Sequence, residues 1–347
     1  MDQGKVIRFC LVALPVGLLL IGAASVFVTE FVLADATVPD EAATKQAKAA
    51  RLTRRDVARE DLEKYVNVLA GDIGERHLGE PKSLRAAAYW IESTLGPNNI
   101  GYPVSRERYQ VGGEEVWNVV AELPGGRLAK EMVVVGAHYD TVPGCPGAND
   151  NGTGVAALLS LAHSFAGETP DRTIRFVAFV NEEPPHFHTE SMGSLVHARH
   201  LAKTGARVSA MISLETIGFY SDEPGSQRTP PGLSVGPFPT VGNFVALVGN
   251  PESEPLVRAV GAAWELAGVS VRALPIALPE SVEGVGWSDH WSFWQAGYPA
   301  VMVTDTAPFR YAHYHRPTDT PDRIDFARYT DVVKGLRTVI ESLAKAP

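Results

Sequence analysis

The stretch Val133 to Gly154, VVVGAHYDTVPGCPGANDNGTG, constrains the chain more than any other. It starts within an uninterrupted apolar run, Met132 to Val135, that reads as a strand buried on both faces, as in a parallel sheet. The strand is expected to end at Gly136, and His138 and Asp140 follow two residues apart. Side chains at i and i+2 of an extended segment face the same way. Asp140 can therefore accept a hydrogen bond from one ring nitrogen of His138 and leave the other nitrogen for a metal. A Pro- and Gly-rich loop then leads to Asn149-Asp150-Asn151, just before a helix of small and apolar residues. Asp150 thus falls at a strand-to-helix crossing, where α/β sheets hold their ligands. Taken alone, a turn rich in Asp, Asn and Gly needs no function; His138 and Asp140 at the mouth of a buried strand shift the reading toward a site.

A strand followed by a helix recurs downstream. Gly154 to Phe165 reads as a helix, Thr173 to Val180 as a strand, Ser191 to Lys203 as a helix and Val208 to Leu214 as a strand. Pro299 to Val303 reads as a short buried strand and Ile324 to Leu343 as a closing amphipathic helix. Upstream, helical spacing covers Asp56 to Gly71, Ser83 is placed to cap a second helix, and Val104 to Val111 and Glu115 to Leu123 alternate as strands. Glu252 to Leu266 has helical spacing, and Ser221 to Asn243 is a long Pro-, Gly- and Ser-rich loop of the kind that is often functional. No internal repeat or long linker divides the pattern. The expected fold is α/β, a single three-layer α/β/α domain with a mixed central β-sheet.

Residues 1–36 read as a signal anchor or signal peptide, 37–55 as a stalk and 56–347 as the catalytic domain. Lys5 and Arg8 precede an uncharged apolar run, Phe9 to Val28, and Glu30, Asp35, Asp40 and Glu41 follow it. That asymmetry directs the rest of the chain out of the cytoplasm, and a run of about twenty residues can span a bilayer once. An uncleaved anchor is favoured; Ala34-Asp35-Ala36 offers a cleavage pattern that would secrete the domain instead. The net charge of −9 and the lack of a long basic run argue against nucleic acid as a partner. The two cysteines, Cys10 and Cys145, are placed too differently to pair, so no disulfide framework is expected.

Further acids and histidines fall at strand ends. Glu182-Glu183 directly follows a strand, and two adjacent buried acids are costly unless a positive charge neutralises them. One of the pair can bind a metal while its neighbour reaches a metal-bound water as general base. Glu215 follows the strand ending at Leu214; Ser288-Asp289-His290 lies in a Trp-rich loop; His313 and His315 follow Tyr311. His138, Asp150, Glu183, Glu215 and His315 together form a mixed nitrogen and oxygen set suited to zinc. Five ligands with one shared carboxylate fit two ions about 3.5–4 Å apart better than one.

These residues lie in the motifs GAHYDTVPG, GANDNGTG, FVNEEPP, SLETIGFY, WSDHWSFWQAGYPAVMVTDT and YHRPTDTPD. From roughly Val116 to Asp325 the chain resembles metallopeptidase family twenty-eight, the co-catalytic zinc exopeptidases that include bacterial leucyl-type aminopeptidases and relatives of glutamate carboxypeptidase. The resemblance implies that family's phosphorylase/hydrolase-like architecture. It implies that His138 and Glu215 bind one zinc, that Glu183 and His315 bind a second, and that Asp150 bridges them. By the same resemblance Glu182 is the general base, Asp140 supports the first histidine, Tyr314 polarises the scissile carbonyl, and the Asp150–Asn151 peptide is cis. The chain departs from the family in carrying Glu215 where aspartate is usual, and it offers two histidines in the last motif, of which the YHxPxDT spacing selects His315. His186 and His188 are read as wall residues.

Peptides are the implied substrates and two Zn2+ the implied cofactors, with aminopeptidase activity as the first expectation. A carboxypeptidase would need a basic group for the substrate carboxylate, and Arg310 and Arg316 are candidates by position. Some relatives cyclise N-terminal glutamine with a single zinc, and others are membrane-anchored, non-catalytic receptors; retention of His138 and Glu182 weighs against both.

Overall fold

The computed structural model describes Leu52, residues 54–233 and residues 238–346. The expected anchor and almost all of the stalk lie outside the described residues, among which no helix is long and apolar enough to cross a membrane.

The described residues open with α1 (Arg59–Val66), which widens into a turn over Asn67–Ile73, and continue into α2 (Pro81–Leu95). Three strands follow, β1 (Val104–Val111), β2 (Glu114–Leu123) and β3 (Leu128–His138), then α3 (Gly154–Phe165), β4 (Arg172–Phe179), α4 (Gly193–Lys203) and β5 (Arg207–Glu215). After a long loop come β6 (Phe244–Gly249), α5 (Glu254–Ala267), β7 (Arg272–Ala277), α6 (His290–Gln295), β8 (Ala300–Thr304), α7 (Ala307–Arg310) and α8 (Phe326–Ala344). The strands form one sheet in the order β1-β2-β4-β3-β5-β8-β6-β7. Its centre, β4-β3-β5-β8, is parallel, while β1, β2 and the β8–β6 pair introduce antiparallel contacts. The expected mixed sheet between two helical layers is the observed one.

The apolar run of β3 explains why both faces are covered. Val133, Val135 and Ala137 join the larger core with α1, α2, α3, α5 and α8, whereas Val134 joins the smaller core with α4 and α6. Successive side chains of a strand alternate between faces, so a strand without polar positions requires apolar partners on each side. Parallel order brings the carboxyl ends of β3, β4, β5 and β8 to one edge, where His138 pairs in register with Phe179 and Glu215 with Thr304.

Local differences from the sequence reading have simple causes. The central strand runs to His138 and not to Gly136, because its pairing with β4 continues through the glycine. Helix α2 starts at Pro81 with Glu80 before it, so Ser83 is inside the helix and caps nothing; proline is suited to the first helical position because the missing N–H has no intrahelical partner there. The first helix is regular only to Val66, and its wide turn presents the Leu69 carbonyl to Arg76.

Arg76 is fully buried. Its guanidinium donates to the carbonyls of Leu69, Gly74, Tyr139, Pro146 and Gly147 at 2.7–3.1 Å. Burial draws its pKa down to about 10, which leaves it charged at neutral pH. One side chain thus fastens the amino-terminal helical segment to the loop that precedes Asp150. Substitution Arg76→Met strands those carbonyls; at about 1–3 kcal/mol for a buried group left unpaired, chemical denaturation is expected to show a loss of at least about 3 kcal/mol.

Candidate metal centre

The carboxyl edge of the sheet gathers the sequence-derived residues into one cluster, buried except for His315, which is exposed. The end of β3 supplies His138, the turn before α3 supplies Asp150, the loop after β4 supplies Glu182 and Glu183, the end of β5 supplies Glu215, and the loop after α7 supplies His315. Asp150 presents Oδ1 to His138 Nε2 at 3.5 Å and Oδ2 to His315 Nε2 at 3.1 Å. Around His138 Nε2 lie Glu215 Oε2 at 3.2 Å and Glu182 Oε2 at 3.8 Å. Glu183 Oε2 is 3.3 Å from His315 Nε2. Two groups of potential ligands therefore share Asp150: His138, Asp150 and Glu215 on one side, and Asp150, Glu183 and His315 on the other, with the donor atoms of each group within 4.8 Å of one another.

The donors fit divalent metal. Asp150 Oδ2 and Glu183 Oε1 are buried without a hydrogen bond, and buried polar atoms are rarely left so. Burial, with the Asp150 charge, pushes Glu183 up to about 7, and burial raises Glu182 well above the carboxylate range. Burial would lower the pKa of His138, but Glu182, Glu215, Asp140 and Asp150 hold it well above its usual value. Burial likewise opposes protonation of His315, but Asp150 and Glu183 raise it to about 10. The imidazoles act as counter-ions to an excess of carboxylate, the place a cation would take.

Neighbouring residues fix this geometry through the backbone. Asn151 donates to the Leu214 carbonyl at 2.8 Å and accepts from the Thr216 and Gly154 amides at 3.1 Å, which ties the Asp150 turn to the end of β5 beside Glu215. A Cβ at Gly154 would stand 2.5 Å from the Leu214 oxygen, so only glycine allows α3 to start so close to β5. The Asp150–Asn151 peptide is cis, as the resemblance implied. Asn181, beside the expected base Glu182, Thr216, beside Glu215, and His315 itself have positive φ of 60°, 43° and 56°; such conformations concentrate at functional sites.

Asp140 sits behind the cluster and faces His138 with both its backbone oxygen and its carboxylate. His138 Nδ1 is 3.2 Å from the Asp140 backbone oxygen and 3.6 Å from carboxylate Oδ1. The carboxylate also accepts from the Glu182 and Glu183 amides, at 3.1 and 3.0 Å, and so aims both glutamates. Tyr314 lies flat on the His315 ring at 3.8 Å, and burial among the acids keeps its phenol protonated. His313 turns away to Thr318, His186 to Ser191, and His188 stacks between Phe187 and Trp291. Arg310 is buried against protein carbonyls and the Gln227 side chain, which removes it as a receptor for a substrate carboxylate.

Two supports belong to motifs noted in the sequence, although their roles were not legible there. Ser288 donates to Glu215 Oε2 at 2.8 Å. Asp319 accepts from the Asn149 and Asp150 amides, at 2.9 and 3.0 Å, and from the Tyr311 hydroxyl at 2.8 Å. It therefore joins the loop carrying His315 to the turn carrying Asp150.

A family model described as peptidase family M28 matches residues 118–340, which contain every residue of the cluster. The chain belongs to peptidase family M28. Membership makes it a metallopeptidase-type hydrolase. The uncharacterised protein YfbL of Escherichia coli K12 is 34% identical over 296 residues, 83% of this chain and 89% of the relative. Leupeptin-inactivating enzyme 1 of Streptomyces exfoliatus is 28% identical over 219 residues, covering 58% and 48% of the two chains. Among solved structures, the zinc aminopeptidase BSAP of Bacillus subtilis superposes with a TM-score of 0.66 at 16% identity, over 84% of this chain and 97% of that one. A glutaminyl cyclase of Fimbriiglobus ruber superposes with a TM-score of 0.63 at 23% identity, over 84% and 97%. At these identities the structural likeness is one of fold.

Supports of metal ligands are typically worth 10- to 100-fold in affinity. Asp319→Ala is accordingly expected to weaken metal binding by about that factor in chelator competition; unchanged affinity would mean that Asp319 does not govern the Asp150 turn.

Proposed function

We propose that this M28 member is a zinc-dependent aminopeptidase that binds two ions per chain and hydrolyses the N-terminal peptide bond of its substrates. The observation that carries the reading is the division of Asp150, one oxygen toward His138 and the other toward His315, with Glu182 beside them. In this reading His138 and Glu215 hold one ion, Glu183 and His315 hold the other, and Asp150 is shared. Zinc, when bound there, acidifies a water to a pKa of about 7 and offsets negative charge on the carbonyl oxygen under attack.

The protein's own part follows from placement. Glu182 takes the proton of the attacking water on its carboxylate and returns it to the leaving amine nitrogen. Asp140 keeps Glu182 and Glu183 in register through their amides. Tyr314, held protonated against the His315 ring, can donate to the carbonyl oxygen as charge develops. The substrate's free amine is drawn to the acidic cluster, which favours cleavage at the N-terminus. Export on a single N-terminal anchor belongs to the same proposal, supported by the charge asymmetry around Phe9 to Val28.

The deciding experiment incubates zinc-loaded protein with mixed peptides and identifies products by mass. Stepwise release of N-terminal residues is expected. Release from the C-terminus, or loss of ammonia from glutaminyl peptides, would replace the aminopeptidase reading with a carboxypeptidase or a cyclase. Glu182→Gln is expected to lower kcat by about 10²–10⁴-fold while zinc content and melting temperature stay near wild type. Metal analysis is expected to give two zincs per chain, falling to one in His138→Ala; a single zinc in the wild type would contradict the paired site.

A further inference from the structure

Glu182 and Glu183 are carried by a single excursion of the chain, residues 181–192, between the end of β4 and the start of α4. Its two ends meet: Gly193 N–H donates to the Val180 carbonyl at 2.8 Å. The segment is thus a compact loop with close ends, of the kind that its own side chains fill. Thr189 Oγ1 donates to the His186 carbonyl at 2.6 Å and lies 2.9 Å from Ser191 Oγ. The outer turn is held from the Trp-rich loop. The His188 ring stacks between Phe187 and Trp291, and its Nε2 lies 3.0 Å from the Gly286 carbonyl oxygen. A loop held at its outer turn can still pivot unless its neck is held as well.

One side chain of β2 holds the neck. Asn118 is fully buried. Its Oδ1 accepts from the Val180 N–H at 3.1 Å, and its Nδ2 donates to the Gly193 carbonyl at 2.9 Å. Val180 lies one residue past the end of β4, where a backbone N–H needs a partner that the ladder no longer supplies. The second hydrogen of Nδ2 goes to Glu107 Oε2 of β1 at 2.8 Å, and that oxygen is 2.9 Å from His197 Nδ1 of α4. Burial opposes the charge on Glu107, but His197 and Asn118 hold its pKa below the usual carboxylate value. Among side chains of this shape only a carboxamide accepts on one side and donates on the other. Aspartate offers no donor to Gly193, and leucine satisfies neither end. The fit is close, because a Cβ at Gly193 would collide with Asn118 Oδ1 and the Val180 oxygen.

We propose that Asn118 is a positioning residue for proton transfer: by gripping both ends of the 181–192 loop it sets where Glu182 stands against the attacking water. The role given to Glu182 rests on the aminopeptidase reading; the clamp on the loop does not. Asn118 acts through the Val180 and Gly193 backbone, not on the substrate. Its action complements that of Asp140, which receives the Glu182 and Glu183 amides inside the loop. Asp140 aims the two acids relative to each other, and Asn118 fixes the frame that carries both. A base works only within about 2.6–3.2 Å of the atom it deprotonates, so a small pivot at the neck takes Glu182 out of reach.

The test uses zinc-saturated full-length protein, with Asn118→Ala and Asn118→Asp. Amide hydrogen exchange read by mass needs no substrate. Fragments covering 181–192 are expected to exchange roughly 10-fold faster or more in both variants, while fragments from α5 keep the wild-type rate. On peptides, kcat for N-terminal release is expected to fall by about 10²-fold with KM close to wild type. Glu107→Ala should reproduce part of that loss, and Glu107→Gln, which keeps the acceptor for Nδ2, should restore it. Should Asn118→Ala fail to fold, Glu107→Ala tests the same clamp from its far side. Faster exchange of the loop in a protein that releases no N-terminal residue would support the clamp and sink only the general-base reading. Wild-type exchange across 181–192 in both variants would overturn the proposal. So would a loss carried by KM, or a fall in kcat that only follows the fraction of folded protein, with hydrolysis by the wild type left standing.

Discussion

Asp150 faces an imidazole with each of its oxygens, and the rest of the site depends on that carboxylate being fixed in a dry environment. Transferring an ion from water to a protein interior costs several kcal/mol after relaxation, and Glu182, Glu183 and Glu215 are buried with it. The cost is offset in two ways. The surrounding carboxylates hold His138 and His315 above the usual imidazole range, and burial raises Glu182 and Glu183. Cations binding between the imidazoles would take over the counter-ion role.

Little of the positioning depends on the ligand side chains themselves. Asn151 anchors to Leu214 and Thr216, Asp319 to the Asn149 and Asp150 amides, and Asp140 to the Glu182 and Glu183 amides. In each case a side chain from one element grips the backbone of another, so the strand ends are cross-linked by hydrogen bonds at the edge where the sheet's own pairing stops. Backbone groups at strand ends lose their ladder partners and must find others; here the partners also determine where the acids point.

The parts of this arrangement visible in the sequence are those with a strong local signature. An uninterrupted apolar run reveals β3, and acids or histidines beyond such runs reveal Glu183, Glu215 and His315 as candidates for one edge. Strands β6 and β7 escaped the reading for physical reasons. β6 is six residues directly after a long loop, and β7 is a partly exposed edge strand containing Pro275, so neither carries a sustained pattern. The engagement of Asp140 was legible only in part, because spacing shows that its side chain can face His138 but not that two amides from another loop compete for it. Asp319 and Arg310 were equally opaque: each acts across more than 80 residues of chain, on Asp150 and Gln227 respectively, and no local pattern encodes such a contact.

Arg76 bears on how the molecule can be divided. The family match begins at residue 118, yet the guanidinium that holds the Pro146 and Gly147 carbonyls comes from residue 76 and also holds Leu69 and Gly74. Strand β1 and the first residues of β2 likewise precede the matched region. A fragment trimmed to the matched region would keep every candidate ligand and lose the clamp on the turn that presents the shared carboxylate. The recognisable catalytic signature and the smallest self-sufficient unit are therefore different lengths of chain, and the upstream helices count as part of the enzyme's working structure.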